Sequence, residues 1–280
     1  MQNIYDVITI ILPFEWLSPH FMKNAFLAIL IAAPLFGMLG SVIVSNGMAF
    51  FSDAIGHSSL TGIALGVALG IREPTATMVI FSMLLGCTII AVKSYGSTSS
   101  DTIIGVFSAV SVALGIVLLS SSGNFSKYQR YLVGDILSIQ EREIIFLLCA
   151  ALATVCMWVL LYNKMLLVNL HKNLAKSRGI HVFAVELLFA LVIAVVVTIA
   201  IQWTGLLVIN SLLVLPAAGA RMISANTQRY VACAIIISLI SGIAGLAFSY
   251  YAGAASGASI VLVNAALFAL CFLGKVLRRN

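Results

Sequence analysis

Asp53 and His57 stand four residues apart in Phe51-Ser52-Asp53-Ala54-Ile55-Gly56-His57, within a chain otherwise nearly free of charge. Of its 280 residues 62% are hydrophobic and 9% charged, and the mean hydropathy is +1.14. Keeping an aspartate at the centre of an apolar membrane helix costs about 2.5–3.5 kcal/mol on insertion scales, so an ionisable residue in such a place points to function. The i, i+4 spacing puts both side chains on one helix face, within reach of a shared ligand. A carboxylate oxygen and an imidazole nitrogen together suit a divalent first-row metal ion. Two ligands do not complete a shell; the rest must come from another helix, a second copy of the chain or water. The competing reading is a hydrogen-bonded structural pair at a helix end.

The elements that must position this pair are apolar segments of about 20 residues, the length that crosses a bilayer. A lipid-embedded backbone satisfies its own hydrogen bonds only as helices or a closed barrel. Unbroken apolar runs such as Leu187 to Ile201 lack the alternation of barrel strands. The chain therefore reads as all-α, a polytopic helical membrane protein of about eight to nine spans forming one transmembrane domain over residues 1–280. The expected spans are Met22–Val44, Ala49–Leu69, Thr75–Val92, Thr102–Ser120, Ile144–Tyr162, Val182–Gln202, Gly205–Met222, Tyr230–Tyr251 and Ser259–Val276. Pro216 predicts a broken or re-entrant helix in the seventh, and the glycines around Asp53 and His57 an interruption in the second. Arg130–Ile139 reads as a short surface helix.

Charge sets the orientation. One set of loops holds Lys93, then Lys164, His171, Lys172, Lys176 and Arg178, then Arg221 and Arg229, then Lys275, Arg278 and Arg279. The other holds Glu15, Arg72-Glu73, Lys127, Arg130, Asp135, Glu141, Arg142 and Glu143, whose charges nearly cancel. The positive-inside rule makes the first set cytoplasmic, with the C-terminus inside and the N-terminus outside. It also accounts for the net charge of +6 without nucleic acid as a partner. Five scattered cysteines with no CxxC imply neither a disulfide framework nor a thiolate site. Met1 to Pro13 shows no basic region or cleavage site of a signal peptide.

Gly62, Gly66 and Gly70 form a small-xxx-small stripe, suited to packing inside a subunit or to a dimer seam. Thr204 to Arg221 ends in Pro216-Ala217-Ala218-Gly219-Ala220-Arg221, a place where a helix can stop and dock a partner. The basic stretch Leu170–Ile180 is either a second such element or a solvated loop. No Gly-x-x-x-x-Gly-Lys-Ser/Thr loop is present, so uphill transport would draw its energy from another protein.

Taken together these segments resemble the membrane subunit of the ATP-binding-cassette zinc/manganese/iron importer family. The resemblance rests on Met48-Ala49-Phe50 with Asp53-Ala54 and His57, on Gly205-Leu206-Leu207-Val208 with Leu215-Pro216-Ala217-Ala218 and Ala220, on Ala175 with Gly179-Ile180, and on Ser256-Gly257 with Ile260-Val261-Leu262. It covers about Phe21 to Leu273, and the order of the motifs is more specific than any one of them. It implies a type II importer-like fold in a prokaryotic cell membrane, and a homodimer with two cytoplasmic ATP-binding-cassette ATPase subunits and an extracytoplasmic metal-binding protein. It also implies Asp53 and His57 as the metal-coordinating pair for transported Zn²⁺, Mn²⁺ or Fe²⁺, no cofactor of the chain's own, no enzymatic activity, and ATP bound by the partner. Ala175, Gly179, Pro216, Ala217, Ala218, Ala220 and Arg221 become candidates for contact with the ATPase. The alternatives are a permease for iron chelates such as siderophores or haem, expected to have a wide cavity and no ligand pair, and a stand-alone proton-coupled metal carrier, expected to have internal repeats and more intramembrane acids. An intramembrane enzyme would need a second intramembrane histidine or acid to complete a catalytic set.

Overall fold

The computed structural model describes residues 5–6, 9, 12–71, 74–96, 98–121 and 134–277. Among the described residues there are nine α-helices and no strand: α1 (His20–Ser45), α2 (Phe51–Ala68), α3 (Thr75–Tyr95), α4 (Ser100–Ser121), α5 (Glu141–Leu170), α6 (Lys172–Ser177), α7 (Val182–Ile223), α8 (Thr227–Ala252) and α9 (Ser256–Leu277). Seven of them, all but α2 and α6, are long and apolar enough to cross a membrane. Of the charges used to orient the chain, Arg72, Glu73, Lys127, Arg130, Arg278 and Arg279 lie outside the described residues. So does the first part of the expected surface helix. Its remainder is a single 3-10 turn, Ile136–Ser138, in which the Leu137 amide donates to the Asp135 carboxylate.

The expected helices are present, although α2, at the second expected span, is not among those long and apolar enough to cross a membrane; two expected breaks also differ. The sixth and seventh expected spans make up α7, 42 residues in two helical stretches that meet at Gly205, where the expected boundary between them lay. Gly205 has φ 76° and ψ 165°, and α7 is not broken at Pro216. A residue with a Cβ does not adopt that conformation without strain, so glycine sets the position of the break. Pro216 removes one backbone hydrogen bond, a defect that packed neighbours in a membrane protein tolerate. The second difference is that α2 is continuous through Asp53, Gly56 and His57.

The chain forms two compact units, each built from separated stretches. The first comprises Met1–Val42, Val133–Ala151 and Trp203–Asn280. Its helices meet through glycine. A Cβ on Gly37 would lie 2.7 Å from the Ala234 carbonyl oxygen of α8, and one on Gly40 would overlap the Leu213 carbonyl of α7. Such close approach replaces the hydrophobic drive that lipid removes. Asn264 of α9 adds polar glue, donating to the carbonyl oxygen of Ser211 and to its hydroxyl, each at 3.0 Å.

The second unit comprises Ile43–Leu132 and Leu152–Gln202, and it carries α2, α3 and α4. Here too glycine lets helices touch. A Cβ on Gly62 would stand 2.6 Å from Met78 Cα, and Gly66 faces Thr77 and Pro74. Two members of the glycine stripe therefore pack α2 on α3 within the subunit. Gly70, at φ 74°, lies past the end of the helix with open space beside it.

Candidate functional site

The site begins with the turn that sets α2. Past the end of α1, Gly47 takes φ 61°, and the Met48 amide donates to the Ile43 carbonyl at 3.1 Å. This left-handed closure satisfies the last carbonyls of the helix and reverses the chain. Phe51 then opens α2, which places Asp53 in the first turn. A carboxylate there interacts favourably with the helix dipole by about 0.3–1 kcal/mol. That is less than the roughly 2.5–3.5 kcal/mol an aspartate costs at the centre of a membrane helix, so the dipole would not by itself account for the residue at such a depth.

His57 Nε2 lies 3.7 Å from Asp53 Oδ2, and the side chains are 29% and 38% exposed. Both are thus half-buried and reachable. A cation about 2.1 Å from each atom would see them at an angle of roughly 120°, close to the tetrahedral value. The pair fits as two of four ligands. Among the described residues no group of three or more His, Cys, Asp or Glu is arranged to hold a metal, so the remaining ligands are not supplied by a cluster of this kind.

The next turns of the same face are closed. Leu60 and Ala64 are buried with Leu119 of α4, and Leu118 packs against them. Hydroxyls fix the rest of α2. The Ser58 and Ser82 hydroxyls are 2.9 Å apart, Ser59 Oγ donates to Thr198 Oγ1 at 3.4 Å, and Thr61 donates to the Ser111 carbonyl. Each of these joins α2 to a different helix: α3, α7 and α4.

A second charged cluster went unnoticed in the sequence. Glu186, in the second turn of α7, lies with Oε1 2.9 Å from Lys172 Nζ of α6 and 3.6 Å from Lys93 Nζ at the end of α3. Glu186 and Lys93 are 10% and 11% exposed. The intramembrane acids are therefore not confined to Asp53, although Glu186 is already neutralised. The only sequence signal was one acid within an apolar run. Removing one partner of a buried pair strands the other charge. Glu186→Ala is expected to lower stability by about 3 kcal/mol, with Lys93 bearing most of the loss because Lys172 can return to solvent. Replacing Glu186 and Lys93 together by methionine should recover most of it. Thermal unfolding of the three variants in detergent checks this, and equal melting of Glu186→Ala and the unaltered chain would refute it.

The candidates for ATPase contact divide by burial. Gly179 and Arg221 are exposed and Ala218 is half-buried, whereas Ala175, Pro216, Ala217 and Ala220 are packed inside. Any contact surface would be made by the exposed residues, with the buried ones shaping it from beneath.

Residues 18–275 match the ABC 3 transport family, and the chain belongs to that family of ABC transporter permeases. It is 30% identical to the high-affinity zinc uptake system membrane protein ZnuB of Haemophilus influenzae, over 92% of this chain and 97% of that one. It is also 30% identical to the manganese transport system membrane protein MntC of Halalkalibacterium halodurans, over 92% and 88%. Among solved structures it resembles PsaBC from Streptococcus pneumoniae in complex with Fab, with TM-score 0.79 and 26% identity over 97% of this chain and 95% of that one. A metal-chelate type ABC transporter in an inward-facing conformation shares the fold, at TM-score 0.68 and 14% identity. The chain is a multi-pass membrane protein with the all-helical fold expected of a type II importer-like permease. Membership of this family disfavours the stand-alone carrier.

Proposed function

We propose that this chain is the transmembrane permease of an ATP-driven importer of Zn²⁺, Mn²⁺ or Fe²⁺ in a prokaryotic cell membrane. It acts as one permease domain, paired with a second copy, with two cytoplasmic ATPase subunits and with an extracytoplasmic protein that delivers the ion. The C-terminus and the basic loops face the cytoplasm. The observation that carries the reading is the half-exposed Asp53–His57 pair on one face of α2, with 3.7 Å between Oδ2 and Nε2. The names of the zinc and manganese relatives support the cargo class.

Aspartate supplies charge and a hard oxygen, while imidazole favours transition metals over Mg²⁺ and Ca²⁺. A two-ligand site holds an ion weakly enough to release it, which transit requires. Intrinsic affinity for such a donor set favours zinc over manganese and iron, so the choice of cargo rests on the delivering protein and metal supply.

The test is reconstitution in vesicles. The purified chain alone is expected to hydrolyse no ATP and to move no metal; with its ATPase and binding protein it should take up zinc or manganese only when ATP is present. Metal uptake by the chain without any ATPase would overturn the proposal.

A further inference from the structure

We propose that the groove between the end of α5 and the start of α7 binds an anionic phospholipid. The groove has a volume of about 440 Å³, within the range of small-molecule sites, roughly 300–1,000 Å³. Lys164, Arg178 and His181 line it together with Leu161, Ala184 and Leu188. No carboxylate lines it. Neither Lys164 nor Arg178 forms an ion pair among the described residues, so both bring their charge to the groove.

The mixed lining selects the occupant. Two cationic side chains, Lys164 and Arg178, with the His181 imidazole in the same lining, suit a phosphate. A free phosphate or nucleotide would leave the apolar part of the lining unused. The apolar part of the lining adjoins exposed apolar surface: Leu188 is 42% exposed, and Leu160, one helical turn before Lys164 on the same face of α5, is 72% exposed. Both helices belong to segments able to cross the membrane. A phosphodiester at the basic residues with acyl chains along Leu160 and Leu188 uses both parts of the lining, and basic pockets between helices at a membrane surface favour such headgroups. The assignment needs only the membrane location and is independent of the transported ion.

The test is native mass spectrometry of the full chain, purified in detergent, stripped of lipid and titrated with phosphatidylglycerol, phosphatidylcholine or inorganic phosphate. Saturable binding of one phosphatidylglycerol, at least tenfold tighter than phosphatidylcholine, is expected. Each basic residue near an anionic headgroup contributes roughly fivefold, so Lys164→Gln with Arg178→Gln should weaken binding roughly 25-fold, while Lys275→Gln on α9 leaves it unchanged. Leu161→Trp with Leu188→Trp, which fills the apolar part and keeps the cations, should also remove the lipid; this arm holds if the charge variant folds poorly. Equal affinity for the two lipids, an unchanged affinity in the charge variant, or full displacement by inorganic phosphate would each overturn the proposal. Gly179 also lines the groove. Loss of the lipid from the complex with ATPase subunits would assign the surface to that protein instead and count against the proposal.

Discussion

Asp53→Ala is expected to abolish metal uptake while the protein still inserts and assembles. The substitution removes the one carboxylate of α2 and leaves a divalent ion facing an imidazole alone. His57→Ala removes the ligand that distinguishes transition metals from Mg²⁺, and uptake should fall at least tenfold. Both side chains are half-exposed, so neither loss opens a cavity in the core. The seat of α2 is held elsewhere, by the hydroxyls of Ser58, Ser59 and Thr61. A purely structural pair would behave differently. Asp53→Asn with His57→Gln preserves hydrogen bonding while removing the carboxylate and the imidazole, and would rescue a structural role but not a metal role. The decisive measurement is uptake of radioactive zinc or manganese into vesicles holding equal amounts of folded protein. Normal uptake by the double variant would sink the assignment.

Reversing charge at Lys176 and Arg221 is expected to uncouple ATP hydrolysis from transport. Both residues are exposed and basic, at the end of α6 and near the end of α7. In the proposed orientation they face the cytoplasm, where an ATPase subunit would dock. Lys176→Glu with Arg221→Glu changes two exposed side chains, and the yield of folded protein is compared with that of the unaltered chain before uptake is read. Metal uptake should drop more than tenfold while the ATPase subunits, assayed alone, keep their activity. Ala220→Asp serves as the contrast. Its side chain is fully buried, so an acid there should lower the yield of folded protein rather than coupling. Unchanged uptake by the charge-reversed pair, with ATPase bound as before, would count against docking at these positions.

The spans were legible because apolar length is written locally: Leu187 to Ile201 identifies itself without reference to any other residue. Asp53 and His57 were legible for the same reason, as ionisable groups inside an apolar stretch. What escaped was whatever depends on a distant partner. Ser58 and Ser59 look like ordinary small residues until Ser82 and Thr198 arrive beside them. Glu186 was absorbed into an apolar run because Lys93, its buried partner, stands 93 positions earlier. The boundary in α7 at Gly205 was legible, because the sixth and seventh spans were read as ending at Gln202 and starting at Gly205, but the further break expected at Pro216, the conspicuous residue, is absent. Proline only removes a donor, whereas a positive φ decides where a helix must stop being one. The inward side of Pro216 to Arg221 was equally invisible. Which face of a small-residue stretch is buried depends on the helices that happen to lie against it.

The hydroxyl contacts around α2 have one further consequence, for how the protein responds to its solution conditions. Serine and threonine do not titrate in the accessible pH range. Neutral hydrogen bonds and glycine-to-backbone contacts carry no net charge for salt to screen. The seat of α2 should therefore be indifferent to ionic strength, while the ion that Asp53 attracts and the basic surfaces of α6 and α7 are not. A salt series run on uptake and on thermal unfolding in parallel would separate the two: transport should move with salt, and in a variant with Glu186 and Lys93 both replaced by methionine, which removes the ion pairs of the same unit, the melting should stay nearly still.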